Sequence, residues 1–290
     1  MTPADLRLGP RTFSPTELVV MAIVNRTPDS FFDRGATYAE QAALDAAARA
    51  VAEGAAIIDV GGVKAGPGDD VDAAEELRRT AGFVAALRER HPTTVISVDT
   101  WRADVADALA GEGVDLVNDT WGGVDPRLAE VAAAHGLGLV CAHAGDHAPR
   151  TRPHRVTYDD VVADVLATTT RLAERAVALG VRPDGLLVDP AHDFGKNSRH
   201  SLEVTRRLGE LVETGWPVLL AASRKDFIGE VLDLPPDERL EGTLAVIALS
   251  AWAGARVFRA HDVLATRRVL DTVSAVRGDT DLRAARRGLA

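Results

Sequence analysis

Eight short runs of apolar and β-branched residues recur along the chain, at 18–25, 55–61, 94–99, 114–118, 137–143, 185–189, 217–223 and 255–259, each bounded by polar residues or glycine. Runs of this length and composition predict buried strands. Between them, the segments 40–53, 73–90, 102–110 and 161–179 repeat apolar residues at three- and four-residue spacing, which predicts helices that cover a sheet. Near-continuous apolar strands alternating with amphipathic helices predict a parallel sheet buried on both faces. Eight repeats favour the α/β class as a single closed (β/α)8 TIM barrel over an open doubly wound sheet. No Gly-x-Gly-x-x-Gly follows the first run, which weakens the dinucleotide-binding alternative further. No Pro/Ser-rich linker divides the chain. One domain over 1–290 is expected, with its core from about residue 15 to 277 and a frayed, Arg-rich tail at 278–290.

The 290 residues carry 33 Lys+Arg against 43 Asp+Glu, a formal net charge of −10. Broad binding to nucleic acid or an anionic membrane needs clustered cations, so neither is expected. No apolar run reaches about 18 residues, and 1–11 lacks the hydrophobic segment of a signal peptide. The single cysteine, Cys141, excludes an intramolecular disulfide framework and a cysteine-based zinc site, which fits a reducing cytoplasm. The connection 144–158, with Arg150, Arg152, His154 and Arg155, reads as a mobile, solvated basic loop.

In a barrel of this kind chemistry gathers where the strands end. The residues at those points are Asn25, Asp59, Asp99, Asn118, His143, Asp189, Ser223 with Lys225, and Arg259 with His261. Each alone has an ordinary structural use, because Asp and Asn cap helices and a strand-end His is frequently a hydrogen-bonded core residue. Together on one rim they predict a polar small-molecule site. Asp99, Asn118 and Asp189 supply acceptors and one amide, suited to a flat heterocycle with several N–H donors. Asn25, Lys225, Arg259 and His261 supply donors, suited to a phosphate or diphosphate. Only three lysines, Lys64, Lys196 and Lys225, stand against thirty arginines, so a lysine at the rim points to a role that needs a compact point charge. Loops 25–35 and 61–69 exceed the usual βα length and predict flaps that close over the mouth.

From about Leu18 to Val276 the chain resembles the dihydropteroate synthases of folate biosynthesis. The resemblance rests on Asn25-x-Thr27-Pro28-Asp29-Ser30-Phe31, Ile57-Ile58-Asp59-Val60-Gly61-Gly62, Ser97-Val98-Asp99-Thr100, Val117-Asn118-Asp119, Asp189-Pro190…Phe194-Gly195-Lys196, Ser223-Arg224-Lys225, Gly242-Thr243-Leu244-Ala245 and Arg259-Ala260-His261-Asp262-Val263, in that order and spacing. It implies a homodimeric barrel that joins p-aminobenzoate to 6-hydroxymethyl-7,8-dihydropterin diphosphate and releases diphosphate. By that likeness Asp99, Asn118, Asp189 and Lys225 grip the pterin, Asn25, Arg259 and His261 hold the diphosphate, and Mg2+ binds through Asn25 and diphosphate oxygens. Asp99, Lys225, Arg259 and His261 would be the catalytic groups, acting on a pterin cation left as diphosphate departs. Sulfonamide-type ligands are expected to bind as well.

The departures from the family pattern cluster in the loops. Arg26 stands where the first loop usually has a small apolar residue, and Val63-Lys64-Ala65-Gly66-Pro67-Gly68 replaces Glu-Ser-Thr-Arg-Pro-Gly. Ala191-His192-Asp193 replaces Gly-Phe-Gly, Ala221 replaces a pterin-facing glycine, and 143–149 departs from His-Met…Gly-x-Pro. The missing Ser-Thr-Arg element helps bind diphosphate and shape the p-aminobenzoate pocket in the family, and Arg26 and Lys64 are the cations in place to compensate; Ser223 is a further loop residue of the site. Two expectations result: a working synthase with unusual loops, or a paralogue that binds pterin or diphosphate without catalysing the condensation. A pterin-dependent methyltransferase of the related barrel group is disfavoured by Ser223-Arg224-Lys225 and Arg259-Ala260-His261.

Overall fold

A computed structural model describes residues 4–27, 37, 39–145, 147–151, 155–284 and 286–287. Most of the first loop, with Pro28 to Gly35, and Arg152 and His154 of the basic loop lie outside the described residues. The chain opens with an antiparallel hairpin, β1 (Leu6–Leu8) and β2 (Arg11–Phe13), and continues with β3 (Val19–Asn25), β4 (Ile57–Gly61), β5 (Val95–Asp99), β6 (Leu116–Asp119), β7 (Gly138–Ala142), β8 (Leu186–Asp189), β9 (Leu219–Leu220) and β10 (Val257–Ala260). The last eight pair in parallel in the order β8-β7-β6-β5-β4-β3-β10-β9. A parallel bridge between Val188 and Val218, with the Val188 N–H donating to the Pro217 carbonyl at 2.9 Å, joins the two ends of the sheet. The expected (β/α)8 TIM barrel is thereby realised.

The covering helices are α1 (Glu40–Ala52), α2 (Ala73–Arg90), α3 (Ala103–Ala110), α4 (Leu128–His135), α5 (Val161–Leu179), α6 (Ser198–Arg206), α7 (Leu208–Glu213), α8 (Asp226–Leu232), α9 (Leu240–Ala253) and α10 (Val263–Arg277). The two longest start where side chains satisfy their first N–H groups. The Asp72 carboxylate accepts from the Glu75 N–H at 2.8 Å, and Asp160 accepts from Val162 and Ala163 at 2.8 and 3.1 Å. Among the described residues no helix is long and apolar enough to cross a membrane.

Strand alternation separates two cores. Val20, Ala22, Val24, Ile58, Val60, Ile96, Val98 and Val117 point outward against the helices. Val19, Met21, Ile57, Val95, Leu116, Val140, Leu187, Leu219 and Val257 point inward and fill the lower barrel. The hairpin closes that lower end with fully buried Leu6, Leu8 and Phe13. The Arg256 guanidinium fastens it by donating to the carbonyls of Ala4 (2.7 Å), Ser14 (2.6 Å) and Phe13 (3.2 Å). The packed core therefore begins near Leu6, ahead of the expected start at about residue 15. The strand expected over 217–223 is continuous only at Leu219–Leu220, with an isolated bridge at Val218 before it. Pro217 has no N–H to donate, and the Ala222 carbonyl turns to accept from the Lys225 N–H at 3.3 Å.

Truncating the plug tests this division. Phe13→Ala is expected to lower stability by about 3–5 kcal/mol in urea unfolding, since the barrel floor cannot collapse around the void. A loss under about 1 kcal/mol would mean the hairpin is dispensable to the core.

Candidate functional site

Above the apolar layers the inward positions turn polar, and the parallel register brings them together. Asp59 lies beside Ser97, and Asp99 beside Asn118. Asp59 is fully buried and accepts three hydrogen bonds, from Ser97 Oγ at 2.6 Å, Asn118 Nδ2 at 3.1 Å and Arg259 Nε at 2.6 Å. Arg259 Nη2 also donates to Asp99 Oδ2 at 2.8 Å, and Thr120 Oγ1 donates to Asp99 Oδ1 at 2.7 Å. One guanidinium thus bridges two carboxylates on the floor of the barrel mouth. Burial pushes the Asp99 carboxyl up to about 6 despite the opposing Arg259 charge.

On this floor stands a cavity of about 230 Å3. It collects Asn25, Asp99, Asn118, Asp189, Ser223, Lys225, Arg259 and His261 from six strand ends, together with Lys64 and Ala221. Burial raises the Asp189 carboxyl, with Lys225 opposing, and burial lowers the Lys225 ammonium, with Asp189 and Asp193 opposing. Lys225 Nζ donates to the His192 carbonyl at 2.5 Å and sits 4.8 Å from the Phe194 ring centroid. Burial holds His261 neutral, down to about 3. Its backbone N–H donates to Ser223 Oγ at 3.2 Å, and Oγ lies 2.9 Å from Nδ1. The serine hydroxyl is then free to donate to Nδ1, which leaves the ring proton on Nε2.

Several strand-end residues sit elsewhere. Ala142 is the last inward residue of β7, so the next residue, His143, points outward and does not line the cavity. Asp119, also outward, accepts from the N–H groups of Trp121 (3.2 Å) and Gly123 (2.6 Å) and so holds the turn that presents Trp121 to the cavity. Asp59 lies beneath the cavity as its anchor. Thr120 and Trp121, which carry no motif signal in the sequence, line the walls beside Phe194 of the family motif and Asp193 of the departing segment. Trp121 and Phe194 meet edge-to-face, their centroids 5.1 Å apart.

The described residues of the rewritten loops bear on the mouth in different ways. Arg26 does not replace the missing guanidinium, because its side chain leaves the mouth: Nε donates to the Arg79 carbonyl at 3.1 Å, Nη1 to the Thr37 carbonyl at 2.8 Å, and the group lies over Phe83 at 5.2 Å. Val63, Lys64, Ala65 and Gly66 face the cavity. Arg150 is not a solvated loop charge. It donates to the carbonyls of Gly66 (3.3 Å) and Asp69 (2.7 Å), drawing the basic loop onto the second loop and bringing Thr151 to the cavity wall. Among the described residues no group of three or more His, Cys, Asp or Glu side chains could hold a metal. Asn25 offers one amide oxygen, which the bare backbone of Gly61 leaves open: a Cβ built there would lie 3.1 Å from it.

The chain matches the model of the pterin binding enzymes over residues 21–261. It is 58% identical over 264 residues to the inactive dihydropteroate synthase 2 of Mycobacterium bovis, covering 90% of this chain and 83% of that one. It is 38% identical over 260 residues to the dihydropteroate synthase of Bacillus subtilis, covering 89% and 88% of the two chains. The Yersinia pestis dihydropteroate synthase, solved as a sulfonamide drug complex, superposes with a TM-score of 0.90 at 36% identity, over 95% of this chain and all of that one.

Removing one partner of a buried charge cluster strands the others. Asp59→Asn is therefore expected to destabilise the fold by about 3 kcal/mol, read by urea unfolding. A stability equal to that of the unaltered protein would contradict Asp59 as the anchor of Arg259.

Proposed function

Because the chain belongs to the dihydropteroate synthase family of pterin-binding enzymes, we propose that its barrel binds a pterin, delivered as 6-hydroxymethyl-7,8-dihydropterin diphosphate, without condensing it with p-aminobenzoate at a synthase rate. The observation that carries this reading is the contrast between a complete polar floor and a rewritten mouth. Asp99, Asn118, Asp189 and Lys225 converge on one cavity, whereas the second loop offers it Val63, Lys64, Ala65 and Gly66. The name inactive dihydropteroate synthase 2, borne by the Mycobacterium bovis relative, supports the same conclusion.

In this reading the carboxylates of Asp99 and Asp189 accept the ring N–H donors of the pterin, and Asn118 and Lys225 complete its edge. Trp121 and Phe194 exclude water from the ring's flank. Asn25, Arg259 and the Nε2–H of His261 face the diphosphate. Mg2+ fits here as an ion brought by the diphosphate, since it takes oxygen ligands and Asn25 supplies one; when bound, it neutralises charge on the departing group. A synthase also needs a pocket that orients the amine and shields a cationic intermediate. Arg26 is packed outside the mouth, so among the described residues Lys64 is the cation that the rewritten loops bring to the cavity. Lys64 is also the observation that favours the second reading, a working synthase with an altered mouth.

A homodimer is proposed on the same family grounds. The exposed Leu249 and Trp252 of α9, with Val276 of the adjoining α10, supply an apolar face for it. Helix α9 is apolar all round in sequence, so no single stripe marks this face.

Calorimetric titration with the pterin diphosphate and Mg2+ tests the binding. Lys225→Ala is expected to weaken it by about 1–3 kcal/mol, and an unchanged affinity would remove Lys225 from the site. Ring recognition needs Asp99 as the carboxylate, and burial favours its protonated form. Affinity should therefore fall as pH drops through about 6. Affinity independent of pH between about 5 and 7 would contradict that role. Replacing Lys64–Gly66 with Ser-Thr-Arg is expected to raise condensation by about tenfold or more. No gain in a folded, pterin-binding variant would show that the loop is not what limits turnover.

A further inference from the structure

The turn between β8 and α6 forms one wall of the cavity, through Ala191, Asp193 and Phe194, and its backbone is unusual. Ala191 has φ +48°, Asp193 +67° and Gly195 +57°, so three of five successive residues lie in the left-handed region. The turn is also pressed against the end of β7, because a Cβ on Gly195 would fall 2.3 Å from the Ala144 carbonyl oxygen. Such a backbone persists only where its surroundings over-determine it.

Tyr158 Oη donates to the Gly195 carbonyl at 2.6 Å, Asp189 accepts from the Ala191 N–H at 2.7 Å and Ser201 Oγ accepts from the Asp193 N–H at 3.0 Å, and beside these one ammonium gathers carbonyls of the turn at a single point. Lys196 is 7% exposed and does not line the cavity. Its Nζ lies 3.3 Å from the Ala191 carbonyl, 3.1 Å from that of Phe194, 2.8 Å from that of His143 and 2.7 Å from His143 Nδ1. His143 Nε2 in turn meets Asp164 Oδ1 at 2.5 Å, and Asp164 is half exposed on α5. Burial, reinforced by Lys196, keeps the imidazole neutral, down to about 4. Nδ1 accepts from the ammonium, and the Nε2–H donates to the carboxylate. Burial also pulls Lys196 down to about 7, with Asp189 opposing. A compact ammonium can point three donors at acceptors crowded around one point, and the planar fork of arginine cannot. That distinction accounts for a lysine behind the cavity wall in a chain whose basic residues are mostly arginine.

We propose that Lys196 is a positioning residue for the ligand: its ammonium, oriented through His143 by Asp164, gathers the carbonyls of Ala191, Phe194 and His143 and so sets the cavity wall and the His192 carbonyl that holds Lys225. The inference deepens the pterin-binding reading and rests on it for the identity of the ligand, but not for the order of the turn.

The test combines hydrogen–deuterium exchange over residues 190–197 with titration by 6-hydroxymethyl-7,8-dihydropterin diphosphate. In Lys196→Met, exchange in this segment rises about tenfold while strands β3 to β5 are unchanged, and pterin affinity falls about tenfold. In Lys196→Ala, n-propylammonium restores both, and n-propanol of the same size restores neither. Wild-type exchange in the Met variant, or equal rescue by propanol, overturns the proposal, the latter because filled volume rather than charge would then suffice. Should the Met variant not fold, Asp164→Asn at the half-exposed end of the chain loosens the same segment by about threefold, and unchanged exchange there overturns the orienting chain. If the unaltered protein binds no pterin, the binding reading fails, while the exchange results still decide the role of Lys196.

Discussion

Everything at the mouth of this barrel depends on where Arg259 puts its charge. Its guanidinium is held between Asp59 and Asp99, at 2.6 and 2.8 Å, on a floor from which most water is excluded. A buried cation without partners is strongly disfavoured, and so is a buried pair of carboxylates without one. The three groups fit only as a set, with Ser97, Asn118 and Thr120 supplying the remaining donors. The set in turn fixes the carboxylate edge that Asp99 offers to the cavity. Apolar layers below and the Phe13 plug beneath them give this polar floor something rigid to rest on.

Recognition and catalysis make different demands on such a scaffold. Recognition of a flat, donor-rich heterocycle needs fixed acceptors, and strand ends supply them with little freedom. Condensation needs more, because a second reactant has to be oriented and a developing cation shielded, and loops do that work. Here the strand-end groups are assembled while the loop chemistry has changed. Arg26 has been recruited to pack over Phe83 and bond backbone carbonyls outside the mouth, and Arg150 ties the second loop to the basic loop. Both arginines donate to backbone carbonyls of neighbouring segments.

The strands were legible in sequence as near-continuous apolar runs because a parallel sheet buried on both faces tolerates few polar positions. The inward polar residues therefore stood out at the strand ends, and Asp99, Asn118, Asp189, Arg259 and His261 do meet. Direction was harder to read. His143 follows an inward Ala142, so its outward aim requires knowing where β7 stops to within one residue. Arg26 follows an inward Asn25 in the same way. The hairpin carries little signal in sequence because Leu6, Leu8 and Phe13 are short, isolated apolar positions whose burial depends on the open end of a barrel that forms elsewhere in the chain. The cluster around Lys196 was hidden for another reason: its partners are mostly backbone carbonyls, and those carry no sequence signal.

The most direct measurement is a single-turnover quench with the protein in excess over labelled 6-hydroxymethyl-7,8-dihydropterin diphosphate, in the presence of Mg2+ and p-aminobenzoate. A floor that binds beneath a mouth that does not catalyse predicts that the label stays protein-bound as unreacted diphosphate. Its conversion to dihydropteroate at the rate of the Bacillus subtilis synthase under the same conditions would contradict the account.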